Sequence, residues 1–519
     1  MATVSLKSRE GKWIMASTIL ASAMAFIDGT ALNVVLPALQ ESLAASGSDL
    51  FWILNAYLLM LASLILIGGT LGDNLGRKKV FMIGIVVFIA GSAACGFASN
   101  VTWLVIFRLL QGIGGALMIP GSLSVISSSI HEQERGKAIG TWSSFTTFVT
   151  LGGPILGGAL ADMGLWRYIF FINIPIGFVA LLMLLTRVKV TEELPSDKPL
   201  DYKGALTIAI ALALLTLGFL RIPAVGFNSF QTYFSLGLGL IFLCVFIYVE
   251  YKSAYPMMPL TLFSSTIFSG ANLLTFFLYA GLGGGMLFLS LNLVQVQGYS
   301  QLQSGLTFLP FTILMISLAR FAGKLSDQYG PRIFLIAGPA TAGAGLLLLS
   351  FVGQTAGPKD YWGSFFPGIL IFGLGMSFTV APLTTAVMGS VSEHFSGTAS
   401  GVNNAMTRIS NVFANAIFGA LAVVFFTGYL SSELEKHQFS CSEKAVIVNQ
   451  AANLGNAKVP VSLDKEKKTE AGAAYRNAFI YSYSNIMRIS SALAFLSAWT
   501  AAFFIKKQHK NKSGEQQGN

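Results

Sequence analysis

Long apolar runs separated by short polar turns fill almost the whole chain. A helix needs roughly 20 apolar residues to cross a bilayer core. On that measure the runs predict fourteen spans, at 13–39, 50–71, 80–98, 101–124, 138–161, 168–188, 203–221, 231–251, 266–290, 304–324, 332–352, 362–388, 398–427 and 478–505. Each span must be helical, because lipid offers no partner to a free backbone N–H or C=O. Two of the turns match. Gly69, Leu71, Asp73, Gly76 and Lys78 recur, 254 residues on, as Gly323, Leu325, Asp327, Gly330 and Arg332. Gly112 to Pro120 recurs as Gly373 to Pro382, and Gly136-Lys-Ala-Ile-Gly140 as Gly397-Thr-Ala-Ser-Gly401, at offsets of 261 or 262. Spans 1–6 therefore repeat as spans 9–14, with spans 7 and 8 inserted between them. The expected fold is an all-α polytopic membrane protein of two pseudo-symmetric six-helix bundles plus two inserted helices. Its expected domains are residues 1–190, an inserted linker 191–260, a second bundle 261–505 carrying a long outside loop 428–477, and a tail 506–519. Internal repeats of this kind mark secondary transporters, with the ligand site near the midplane between the repeats.

Composition agrees with the pattern. Only 11% of the 519 residues are charged and 54% are hydrophobic, against about 25% charged in a soluble protein. The first run, from Trp13 to Leu39, is too long for a signal-peptide core and reads as a helix that stays. The net charge of +10 does not point to nucleic acid, because the basic residues are scattered through loops. With the N-terminus in the cytoplasm, twenty of the 33 Lys and Arg fall on that side, and the short outward loops carry Arg167, Arg221 and Lys359 alone. The positive-inside rule thus expects both termini in the cytoplasm. The basic tail from Lys506 reads as an ordinary stop signal that also lies within reach of anionic lipid. The polar loop 428–478 reads as a solvated excursion with one short helix.

Chemistry narrows the function. Cys95, Cys244 and Cys441 suggest neither a disulfide nor a metal site. His131, His394, His437 and His509 all lie outside the spans or at their ends. Nothing within the spans would bind a metal or activate a nucleophile, so no enzyme, cofactor or metal is expected. Of 23 carboxylates only Asp28 sits deep in a span, where a charge costs roughly 2.5–3.5 kcal/mol on insertion scales. Function and a merely structural hydrogen bond both remain open for it. Arg108 is the expected counter-charge, sharing a helix face with Gln111, Gly112 and Gly115; its alternative is snorkelling to the outer surface. Gly401, Asn404, Arg408, Asn411 and Asn415 form a polar stripe in the thirteenth span, facing either a cavity or a packed helix, and Asn272, Thr275 and Tyr279 form a weaker one in the ninth. The cavity candidates are Asn33, Asn55, Gln111, Asn272, Tyr279, Asn404, Arg408 and Asn411. Gly153-Pro154-Ile-Leu-Gly157-Gly158 combines a helix-kinking proline with a close-packing glycine face.

These residues resemble a known family. Gly69-x-Leu-x-Asp73-x-x-Gly76-Arg77-Lys78 resembles the loop 2–3 signature of the major facilitator superfamily, with Asn74 where a basic residue is usual. Arg108-x-x-Gln111-Gly112-x-Gly114-Gly115 resembles its fourth-helix motif, and Gly153-Pro154-x-x-Gly157-Gly158 its antiporter motif. Asp28-x-Thr30-x-x-Asn33-Val34-x-Leu36-Pro37 resembles the first-helix motif of the fourteen-span drug:proton antiporters of the QacA/EmrB type. The resemblance implies two bundles rocking about a central cavity in a bacterial inner membrane. Asp28 and Arg108 would couple protons. Gly69, Asp73, Gly76, Arg77 and Lys78, with Asp327, Gly330 and Arg332, would form the conformational switch, and Asp73 would dock at the N-terminus of span 13. The expected activity is proton-coupled export of hydrophobic cationic or neutral compounds by a single chain. Export of an organic anion, metabolite or siderophore, or uniport, is the alternative on the same fold.

Overall fold

The computed structural model describes residues 4–188, 201–225, 229–391 and 396–505. The side chains of residues 66, 70, 73, 74, 132, 133, 136, 143, 144, 147, 151, 223, 224, 319, 320, 327, 396 and 397 lie outside that description. The described chain is helical apart from turns and a single bridge between Val4 and Ile130. In order the helices are α1 (Arg9–Ser42), α2 (Gly47–Leu75), α3 (Arg77–Phe97), α4 (Val101–Ser129), α5 (Glu132–Asp162), α6 (Tyr168–Phe171), α7 (Asn173–Arg187), α8 (Tyr202–Val225), α9 (Phe230–Lys252), α10 (Thr266–Gln295), α11 (Gln301–Leu306), α12 (Leu309–Tyr329), α13 (Pro331–Leu349), α14 (Phe365–Gly389), α15 (Ser396–Glu435), α16 (Cys441–Asn449) and α17 (Lys465–Phe504). Thirteen described stretches are long and apolar enough to cross a membrane. The expected fifth span coincides with α5, which is apolar from Phe148 to Asp162.

Two expected spans are broken. The sixth divides into α6 and α7, and the tenth into α11 and α12. A proline supplies no N–H to the carbonyl four residues back. Pro175 so frees Phe171, the last residue of α6, and Pro310 frees Leu306, the last of α11. The segment 428–478 also differs from its expectation. α15 continues to Glu435 and α17 begins at Lys465, so 428–478 is mostly helix. Local signals build it: a capping box at Ser440 and Glu443 starts α16. Phe439, Ile447, Leu454 and Tyr475 are buried beneath it. Lys467 Nζ donates to both oxygens of Glu443, at 2.9 and 3.0 Å, and holds that carboxyl down at about 2.

α1 packs on α5 and α7, and α4 on α2 and α3; in the second half α13 packs on α14 and α17, and α10 on α15 and α17. The halves meet through α2 with α15, α5 with α11, and α1 with α10. Among the described residues, every hydrogen bond between the halves lies at the distal end, where α1 turns into α2. The 3-10 turn Ala451–Asn456 is wedged there. Gln40 of α1 bonds the Asn453 carbonyl, Asn456 and Gln295 of α10 at 3.4, 3.2 and 3.0 Å.

Candidate functional site

Asp28 and Arg108 meet in the core of the first half. Their exposures are 0% and 1%, and that of Gln111 is 0%. Arg108 Nη1 donates to Asp28 Oδ2 and, at 2.9 Å, to Gln111 Oε1. Gln111 Nε2 donates to Asp28 Oδ1 at 2.9 Å. The guanidinium also donates through Nε to the Ile53 carbonyl at 3.3 Å. Both carboxylate oxygens are therefore bonded, and two charges that would each be costly to bury form a closed three-residue ring. Gly112 lets α4 approach α2 closely: a Cβ there would lie 2.5 Å from the Tyr57 carbonyl. The Tyr57 ring covers Arg108 at 4.5 Å, and its hydroxyl is buried with no described partner. Sequence reasoning passed over Tyr57, although it lies two residues from Asn55, a cavity candidate on the same helix.

The remaining cavity candidates divide into three groups. Phe26, Gly29 and Asn33 are half-buried on one face of α1, and a Cβ on Gly29 would meet nothing within 4 Å. That face borders open space, while Asp28 points the other way, into the core. Arg408 of α15 reaches it from the second half, with its guanidinium 5.8 Å from the Phe26 ring. Tyr57 and Tyr279 lie within electrostatic reach of the same group. Asn404, one turn along α15, is exposed. Arg408 has no ion-pair partner among the described residues. Asn411 lies against Gly283 of α10 with its Oδ1 buried and unpartnered, and Asn55 is buried with both amide ends unpartnered. Asn272 belongs to a third group. Asn403 Nδ2 bonds Asn272 Oδ1 at 3.1 Å and Thr275 Oγ1 at 2.7 Å, clasping α15 to α10. Asn272 and Thr275 are 1% and 0% exposed, so this stripe is spent in helix packing. Asn403, one residue off the visible stripe, carried no sequence signal.

The Gly153–Gly158 segment has two working faces. Gly153 and Gly157 seat α5 on Thr30 and Ala31 of α1. Pro154 leaves the Thr150 carbonyl without its helical donor, and the Thr30 hydroxyl, two residues from Asp28, lies 3.0 Å from it and 2.9 Å from the Phe26 carbonyl of its own helix, so its one proton is shared between them. The opposite face meets the second half. A Cβ on Gly158 would lie 2.4 Å from the Gln301 carbonyl, and one on Gly305 would lie 2.4 Å from the Pro154 carbonyl. One turn further, Asp162 accepts from Ser300 Oγ and from the backbone N–H of Gln301 and Leu302 at 2.6, 2.7 and 2.9 Å. Asp162 escaped sequence reasoning because it ends a span, where a carboxylate is ordinary; its position four residues after Gly158 put it on the α11 face.

The repeated turns keep their symmetry. Gly76 and Gly330 adopt φ of 98° and 83°, a region that only glycine enters freely. Lys78 Nζ donates to the Val188 carbonyl at the end of α7 at 2.7 Å, and Arg332 Nη2 to the Ala502 carbonyl near the end of α17 at 3.0 Å. Each basic residue thus closes the C-terminus of the last helix of its own half, where the helix dipole favours a cation. Gly69 is a helical residue facing open space, and Arg77 opens α3. The expected docking of Asp73, and the side chain of Asp327, lie outside the described residues.

Comparison with known proteins places this geometry. The Major Facilitator Superfamily profile matches residues 18–415. The chain is 31% identical over 422 residues to multidrug resistance protein Stp of Mycobacterium tuberculosis (strain CDC 1551 / Oshkosh), covering 81% of this chain and 77% of the relative. It is 29% identical over 513 residues to the tetracenomycin C resistance and export protein of Streptomyces glaucescens, covering 96% and 93%. Its fold is similar to that of a bacterial homolog of the human lysosomal transporter Spinster in an inward-facing, unoccupied conformation, with a TM-score of 0.64 at 17% identity over 97% of this chain and 99% of that one. The chain belongs to the Major Facilitator Superfamily and is a multi-pass membrane transporter.

Proposed function

We propose that the protein is a proton-coupled exporter of small hydrophobic compounds, working as a single chain in a bacterial inner membrane. Its two six-helix bundles and two inserted helices make fourteen spans, both termini are cytoplasmic, and the distal end faces outward. The observation that carries the reading is the sealed Asp28–Arg108–Gln111 ring beside the open face of α1. An ionised Asp28 balances Arg108. A proton arriving on Asp28 would remove that balance and leave a buried guanidinium unpaired, at a cost of about 3–5 kcal/mol. Protonation therefore demands rearrangement of α1, α2 and α4. α1 also carries Thr30 and Ala31 against α5, which in turn seals the distal end on α11. A proton taken up from outside would open one gate, and its release inside would restore the ring seen here. The multidrug and antibiotic-export names of the relatives agree with efflux.

Inverted membrane vesicles energised by respiration test this with a panel of cationic, neutral and anionic hydrophobic dyes. The expected result is uptake of at least one dye that a protonophore abolishes and Asp28→Asn abolishes with it. Protonophore-sensitive uptake that survives in Asp28→Asn would refute the coupling role.

A further inference from the structure

Resting on that export reading, we infer that Arg408 is the specificity determinant of the cavity, selecting aromatic compounds that carry an acceptor oxygen, uncharged or singly anionic, and excluding permanent cations. The charges settle the sign. The Asp28–Arg108 pair is formally neutral and shut under Tyr57. No carboxylate among the described residues pairs with Arg408. The half-buried guanidinium is thus the formal charge left beside the open face of α1, and it carries unused N–H donors.

The surroundings fit one ligand chemistry. Phe26 lies 5.8 Å from the guanidinium, and half-buried Tyr279 stands within its electrostatic reach, so aromatic faces are present for a flat apolar body, while Tyr57, 1% exposed, lies beneath them over Arg108. A planar guanidinium bonds a carbonyl, enolate or carboxylate oxygen well and repels an ammonium. Asn404 is exposed one turn to the proximal side. Asn411, one turn to the distal side, has a buried Oδ1 with no described partner. Together they give a polar strip along α15 centred on Arg408, opposite the apolar Phe26. Membrane potential, negative inside, also favours the choice, because it helps one negative charge to move outward.

Binding of three probes with one aromatic body tests the inference without any proton gradient: pyrenebutyrate, pyrenebutanol and pyrenebutyl-trimethylammonium. Each is titrated into the purified full-length protein in nanodiscs, with empty nanodiscs subtracted. The expected order is butyrate at least as tight as butanol, and both tighter than the ammonium. In Arg408→Gln the butyrate-to-ammonium affinity ratio should fall about tenfold, equivalent to about 1.4 kcal/mol, whereas Arg408→Lys should retain the order. Ammonium binding as tight as butanol in the native protein would overturn the inference even if the variants failed to fold. So would an unchanged ratio in a folded Arg408→Gln. Selective binding without proton-driven transport would instead defeat the coupling proposal and leave this one standing.

Discussion

Removing one charge from the buried ring is a different experiment from removing both. Asp28→Asn leaves Arg108, 1% exposed, without its counter-charge, and Arg108→Gln leaves the carboxylate alone; each should cost about 3–5 kcal/mol of stability. The double substitution should recover most of that loss while transport stays absent. Thermal unfolding in detergent with a parallel transport assay checks this, and a double variant no more stable than either single one would contradict it. A smaller effect is expected at Thr30. Thr30→Val keeps the volume but removes the donor to the Thr150 carbonyl, at about 1–3 kcal/mol. An unchanged melting temperature would show that the carbonyl freed by Pro154 needs no donor. At this scale the sequence was partly legible. One carboxylate amid apolar residues is costly enough to announce itself, and so was its arginine. Asn403 and Tyr57 were not legible, because a helical stripe fixes a face only to within about one residue, and a tyrosine in an apolar run looks like any other ring.

At the level of elements, α5 is the part that serves both halves. Its Gly153 and Gly157 face α1, and its Gly158 and Asp162 face α11. Gly158→Leu should therefore leave the first half intact and wedge the distal end open. Spin labels at the distal ends of α5 and α11 should report a longer distance than in the native protein; an unchanged distance would remove Gly158 from the gate. The excursion beyond α15 makes a pH prediction. Glu443 is held at about 2 against an ordinary 4.5 by its bond to Lys467. A carboxyl lowered on folding gives stability that is present above its unfolded value and lost as pH falls through the folded one. Hydrogen-exchange protection of α16 should thus be flat above about 4.5 and fall towards about 2; a fall already near neutral pH would contradict the assignment. Apolar length and glycine-bearing turns revealed most elements in the sequence. The breaks at Pro175 and Pro310 were written there too, but averaging over a span-long window hides a one-residue interruption. The helical ends of the segment 428–478 were hidden because their polar residues are held by a cap and an ion pair, which hydrophobic length does not reveal.

The whole molecule is closed at its distal end by contacts from both halves. Gln40, Gln295, Asn453 and Asn456 form one polar knot over the seam between α1 and α10. A thiol cross-linker joining cysteines placed at Gln40 and Asn456 should stop transport, and cleaving the linker should restore it. Transport that continued while cross-linked would mean that the distal seam never opens. The recurrence of the two glycine turns was visible in the sequence, and Gly76 and Gly330 both hold a left-handed backbone there. The closure of one end was not, since either end of such a bundle can close with the same helices. The central claim is that Asp28 exchanges its proton with substrate. Its most direct measurement is proton release on ligand binding, read by a pH indicator in weakly buffered solution of the purified protein. In protein equilibrated at a pH low enough to load Asp28 with a proton and so open the ring, ligand should release protons to saturation from the native protein, and none from Asp28→Asn at matched occupancy. Equal release from both proteins would place the coupling proton on another group.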